Sequence, residues 1–154
     1  MATINHQVWI NAAVARVYEA LSSAEGISRW WDKQTTRLTD GALILEHSPG
    51  PEHGVVQLKV VEMTPDRRVE WECISSHPRT SPASGWTGTH IAFELRERKD
   101  FPPALTSWAA AIPAQAILDF RQSGWDERND YLGFCSFAWA EVLLRLKTMC
   151  ETAR

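Results

Sequence analysis

No stretch of this chain approaches the about 20 consecutive apolar residues that a membrane-spanning helix requires. The longest candidate, Trp108–Ala114, is short and holds Pro113. The first residues carry no basic cluster followed by an apolar run, so no secretory leader is expected. Basic residues form no stripe either. The densest spots are Arg67-Arg68 and the mixed Arg96-Glu97-Arg98-Lys99, in a chain of net charge −3. A nucleic-acid binder displays Lys and Arg along one face, so that class is set aside. Cysteine is scarce: Cys73, Cys135 and Cys150 are an odd number at no metal-binding spacing. That fits reduced thiols in a cytoplasmic protein. The histidines His6, His47, His53, His77 and His90 show no metal spacing. A phosphate-binding glycine loop and a nucleophile elbow are also missing. Neither a metal nor a cofactor is expected.

Tryptophan, by contrast, is abundant, with eight in 154 residues. Burying one Trp removes roughly 150–250 Å² from water. At about 25 cal/mol per Å² that is worth up to roughly 4–6 kcal/mol. So many indoles imply either a heavily packed core or the wall of an apolar cavity, and composition leaves both open. Length and a 44% apolar content suit one domain, residues 1–154, with a sizeable core.

Residues 3–10 alternate as a strand, with Val8 and Ile10 on one face and Gln7 and Trp9 on the other. Asn11 reads as an N-cap, and Val14, Val17, Tyr18 and Leu21 follow at helical spacing. Ser22 and Glu25 form a capping-box pattern that opens a second short helix, ending in Trp30-Trp31-Asp32. Strand alternation then recurs around Leu43–Leu45, Val56–Val60, Val69–Cys73, Thr89–Leu95 and Leu118–Phe120, with Gly124 as the last strand's end. Residues 75–85 and the connection from Lys99 to Pro113 read as loops. From about Glu127 to Cys150 the period becomes helical, with Asp126 as N-cap. Leu132, Cys135, Trp139, Val142, Leu143, Leu146 and Met149 share one face. Such a helix spans about 35 Å, so it must lie across a sheet. The expected fold is therefore α+β of the helix-grip type. A curved antiparallel sheet of about seven strands holds two short helices after its first strand, and a long C-terminal helix crosses its concave face.

Four local patterns carry a resemblance. They are Ile10-Asn-Ala-Ala-Val14 with Val17-Tyr-Glu-Ala-Leu21 and Trp30-Trp31; Gly54–Val60 with Pro65 and Val69-Glu-Trp71; Gly85-Trp-Thr-Gly-Thr89 with Phe93-Glu-Leu95; and Leu118–Trp125 with Trp139 and Leu143–Lys147. In this order and spacing the chain resembles the activator of heat-shock-protein-90 ATPase homologue-like family, within the START-like or Bet v 1-like superfamily. The resemblance implies a helix-grip fold. Its members range over lipid carriers, hormone receptors, cyclases and co-chaperone modules, so it implies no single function. Two features depart from the pattern: Gln122 stands where members often carry His, and the Lys99–Pro113 connection is longer than the usual tight turn.

Alternation points Val8, Leu43, Leu45, Leu58, Val60, Trp71, Phe93, Leu118 and Phe120 inward, facing Leu132, Cys135 and Trp139 on the helix. These either fill a core or wall a cavity. With Trp30, His47 and Gln122 they form the candidate ligand-binding set, and His6 and Ser136 are further polar groups in reach. Of the adjacent Trp30 and Trp31, about 100° apart on a helix, one can plug the cavity while the other stays near the surface. Trp86 and Trp108 fall in loops and, with Trp9 on the outer face of the first strand, are candidate closure or homodimer contacts. Glu70 and Glu72 share a strand face about 7 Å apart but point to water. Asp119 and Arg121 read as a surface pair. No catalytic residue stands out. The favoured function is binding of a small hydrophobic molecule. An enzyme of cyclase or hydrolase type acting on such a ligand, and a protein-interaction or co-chaperone-like module, are the alternatives.

Overall fold

The computed structural model describes residues 1–102 and 107–152. Part of the long connection after Lys99, residues 103–106, lies outside the described residues. The elements run β1 (Ala2–Ile10), α1 (Val14–Leu21), α2 (Ala24–Ile27), β2 (Thr35–Thr39), β3 (Ala42–His47), β4 (Val56–Thr64), β5 (Arg68–Cys73), β6 (His90–Glu97), α3 (Ser107–Ala110), β7 (Ala116–Trp125) and α4 (Leu132–Glu151). The seven strands form one antiparallel sheet in the order β1-β7-β6-β5-β4-β3-β2. The order explains the two short helices. They carry the chain from β1 at one edge to β2 at the other, after which the strands meander back until β7 pairs with β1. The curved sheet holds α4 against its concave face, as the helix-grip reading expects.

Alternation decides which residues face α4. Ile4, Ile10, Leu45, Leu58, Val69, Trp71, Phe93, Leu118 and Phe120 are buried in one cluster with Cys135, Trp139, Leu143, Leu146 and Cys150 of α4. Ile44 and Ile117 are buried too, but alternate to the opposite face. Leu43 is half-buried opposite Leu38 on β2, and stands outside the cluster.

The two ends of α4 are held differently. Near its C-terminus Lys147 Nζ donates to the Trp9 carbonyl at 2.6 Å, Glu151 accepts the Asn11 N–H at 2.7 Å, and Arg16 donates to the Thr152 carbonyl at 2.7 Å. At the other end the Tyr131 hydroxyl donates to the Thr80 carbonyl at 3.1 Å, and the Cys135 thiol to that of Pro82 at 3.4 Å.

Several boundaries differ from the sequence reading, each for a local reason. α4 starts at Leu132, not near Glu127. Asp126 and Asn129 accept the N–H groups of Arg128 and Tyr131, and these side-chain turns replace helix there. Ser23, not Ser22, caps α2 by accepting the Gly26 N–H. Asn11 does not cap α1, which begins at Val14 after Ala13. Gly124 does not end β7. It is the extra residue of a bulge opposite Ala2 and Thr3, with φ of 92°, which suits glycine. Strand β2 is fully exposed and gave no inside–outside alternation to read.

Candidate functional site

The centre of the space beneath α4 is filled by aromatic rings. Trp71 and Phe93 meet at 4.9 Å between centroids, Phe93 and Phe120 at 5.3 Å, and Phe120 and Trp139 at 4.5 Å. The polar atoms of Trp139 and Gln122 are paired internally, whereas the buried Trp125 indole N–H has no partner among the described residues. The Trp139 indole N–H donates to Gln122 Oε1 at 2.9 Å, and Gln122 Nε2 donates to Thr89 Oγ1 at 3.0 Å. Gln122 is fully buried, so it is a structural hub beneath Trp139 and lines no opening.

The filling stops toward the N-terminal half of α4. There a half-open pocket of about 230 Å³ lies between α4, the end of α2, β3 and the segment 81–86. Trp31, Trp86 and Trp139 form its wall. Trp31 and Trp139 are 5.0 Å apart, Trp86 and Trp139 stack at 5.6 Å, and Trp31 and Trp86 stand at 6.2 Å. Phe134, 60% exposed, stands at the mouth. The polar lining consists of Asp32, His47, His53 and Ser81.

Of the fourteen residues expected to bind a ligand, His47, Cys135 and Trp139 line this pocket. Leu45, Leu58, Trp71, Phe93, Leu118 and Phe120 pack in the core behind it, and Val60 and Leu132 pack against that core half-buried. Of the tryptophan pair, Trp31 faces the pocket, whereas Trp30 is buried and donates its indole N–H to the Ala20 carbonyl at 2.9 Å. Trp30 and Trp31 also border a second, broader depression shared with Arg29, Glu141, Leu144, Arg145 and Met149. His6 Nε2 lies 2.9 Å from the Ser136 carbonyl and ties β1 to α4. Trp9 packs on Phe101 and under Arg98, while Trp108 is 77% exposed.

Trp86 is a candidate closure residue in the sequence, but residues 81–85 went unread as a pocket wall, although their signal is plain. Ser81 accepts the Ala83 N–H as N-cap, and Pro82 occupies the first position of a 3-10 turn, a recognisable helix-start pair. Gly85 lets this turn press on β7. A Cβ there would meet the Trp125 ring at 2.4 Å.

His47 is buried, lies 4.5 Å from the Trp31 ring, and has its Nδ1 3.2 Å from Gln34 Oε1. The carbonyl oxygen accepts, so Nδ1 carries the proton and Nε2 is left as an acceptor. Burial lowers the His47 pKa to about 4. Asp32 opposes that shift and His77 adds to it. The imidazole is therefore neutral at pH 7.

One cluster has the order of a nucleophile and its base. Ser81 Oγ lies 2.7 Å from His53 Nδ1, and His53 Nε2 lies 3.2 Å from Glu52. Its geometry is that of a cap. Ser81 is 2% exposed and its oxygen already accepts the Ala83 N–H. The N–H groups of Ser81, Ser84 and Trp86, which could stabilise an oxyanion, all bond to backbone carbonyls. The Cys135 thiol is no readier, because burial raises its pKa despite the Trp86 N–H beside it.

The family model described as Activator of Hsp90 ATPase homolog 1-like protein matches residues 11–151. The chain belongs to this family. The solution structure of the Aha1 dimer from Colwellia psychrerythraea is 25% identical, with 98% of this chain and 97% of that chain covered and a TM-score of 0.72. Protein MLL2253 of Mesorhizobium loti is 18% identical, covers 96% of both chains and has a TM-score of 0.68. CalU16 of Micromonospora echinospora is 15% identical over 98% of this chain and 76% of its own, with a TM-score of 0.66. The latter two share the fold. No curated protein matches this chain.

In this member of the Hsp90-ATPase-activator-like family the outer face of the sheet is charged. Arg68 pairs with Glu62, Glu70 and Glu94, and His90 with Glu70. Asp119 pairs across strands with Arg96 at 2.7 Å, not with Arg121 along its own strand. Among the described residues no group of acidic, His or Cys side chains is arranged to hold a metal, and no helix is long and apolar enough to cross a membrane.

Proposed function

We propose that this protein binds a small hydrophobic molecule in the pocket walled by Trp31, Trp86 and Trp139. One observation carries the reading: beside the packed aromatic core, about 230 Å³ opens against three indoles. An apolar cavity of about 150 Å³ suffices for benzene, whereas typical ligand pockets span about 300–1,000 Å³. The occupant is thus a molecule of one or two rings, or the ring end of a longer one. Proteins with this family's fold often bind hydrophobic ligands. Binding is favoured over catalysis because Ser81 is committed as a cap and the Cys135 thiol is held protonated. A thermal-shift screen of ring-bearing compounds, followed by indole N–H chemical shifts, tests the reading. Hits that move the signals of Trp31, Trp86 and Trp139 support it, and binding that leaves them unmoved refutes it.

Self-association is the second reading. Phe137 and Leu144, 68% and 59% exposed and two helical turns apart, share a face of α4, and the related Colwellia protein is a dimer. Light scattering of Phe137→Ser against the parent protein tests it, and an unchanged mass in both would dismiss this face.

A further inference from the structure

The pocket's charge goes beyond its apolarity. Its lining includes Asp32, whose charge acts on His47, and no Lys or Arg. The exposed Glu52 carboxylate stands 3.2 Å behind His53. His47, by donating Nδ1–H to Gln34, presents Nε2 only as an acceptor, and no protein partner for that nitrogen is found among the described residues. So Asp32 and His47 offer acceptors, Asp32 brings negative charge, and His53 turns its Nε2–H to Glu52. The wall behind them is three indole rings with a Phe at the mouth, and the face of an indole attracts a cation held within about 6 Å of its centroid.

These features favour one charge type. A carboxylate ligand would meet Asp32 with no cation to offset it, as like charges repel. A neutral alcohol would gain the apolar wall and one O–H for an acceptor, with no charge to pair with Asp32. A protonated or quaternary ammonium would gain the wall, the indole faces and the Asp32 carboxylate together. A protonated amine would also have N–H groups for the two acceptors.

Resting on the ligand-binding reading above, we propose that the pocket selects a hydrophobic ammonium. The Trp31–Trp139–Trp86 wall takes its apolar body and Asp32 pairs with its charge. Fatty acids and other apolar anions are discriminated against.

Three probes with one frame and three head charges test this at pH 7: phenylbutylamine, phenylbutanol and phenylbutyrate, titrated against tryptophan fluorescence and indole N–H chemical shifts. The amine should bind about tenfold more tightly than the alcohol, and the acid more weakly than both. In Asp32→Asn, an exposed position whose change leaves the core intact, the amine-to-alcohol ratio should fall toward one while alcohol affinity holds. If the alcohol matches the amine, or the acid binds best, the charge selection is overturned and the pocket stands. If none of the three moves the signals of Trp31, Trp86 and Trp139, the pocket reading itself falls.

Discussion

Beneath α4 the same residue type reaches two opposite states. Toward the middle, Trp71 and Trp139 are sealed among Phe93 and Phe120, and the Trp139 indole N–H is satisfied inside by Gln122. Toward the N-terminal half, Trp31 and Trp86 are half-buried, and the Trp86 N–H reaches only the soft Cys135 sulfur at 3.5 Å. The N–H partner alone does not decide this: Trp125 is fully buried with its indole N–H unpaired among the described residues, and Trp139, paired to Gln122, still lines the pocket. What differs is whether neighbouring side chains fill the space beside the ring. A tryptophan-rich chain can thus hold both a filled core and a cavity wall, the two options that its composition left open.

The largest test of that division is Trp139→Ala, which links the halves. It should cost about 3–5 kcal/mol in denaturant unfolding, as for other buried aromatics cut to Ala. A cost under about 1 kcal/mol would mean that the filled half is not what holds the fold. Acid comes next. His47 titrates at about 4 when folded against 6.5 for the free side chain. Between those values the unfolded chain binds the extra proton, so stability is intact above pH 6.5 and falls as pH drops toward 4. The loss is on the order of 3 kcal/mol. In His47→Gln that part of the pH slope should vanish. Gln122→Leu should cost about 1–3 kcal/mol by stranding the Trp139 N–H. The smallest effect belongs to the mouth: Phe134→Ala should shift stability by no more than about 0.5 kcal/mol yet weaken phenylbutanol binding. A large stability loss there would erase the contrast.

Much of this was legible before the structure. Alternation placed Leu45, Leu58, Trp71, Phe93, Leu118 and Phe120 on the inner face, and the helical period of α4 placed Cys135 and Trp139 opposite them. Parity, however, reports which way a side chain points and not whether the space beyond it is full. That is why most of the expected ligand-binding residues are core, and why only the polar His47, at the end of β3, joins Cys135 and Trp139 at the opening. Trp31 was inseparable from Trp30 without knowing how the end of α2 is turned. The wall at 81–86 comes from a loop brought in across the sheet, and no periodicity encodes that approach. Strand β2 escaped because all five of its residues are exposed, so it has no buried face to alternate.

The unequal ties of α4 carry one more consequence. Its last turns are fastened to the β1–α1 corner through Lys147, Glu151 and Arg16, whereas its first turn hangs on the carbonyls of Thr80 and Pro82. The helix is a cantilever clamped at the end far from the pocket. The His6–Ser136 contact and the Trp139–Gln122 bond mark where its hold on the sheet begins, so its first turn and the 80–86 segment are the lightly tied part. Amide protection should therefore climb along α4 from its first turn toward its clamp.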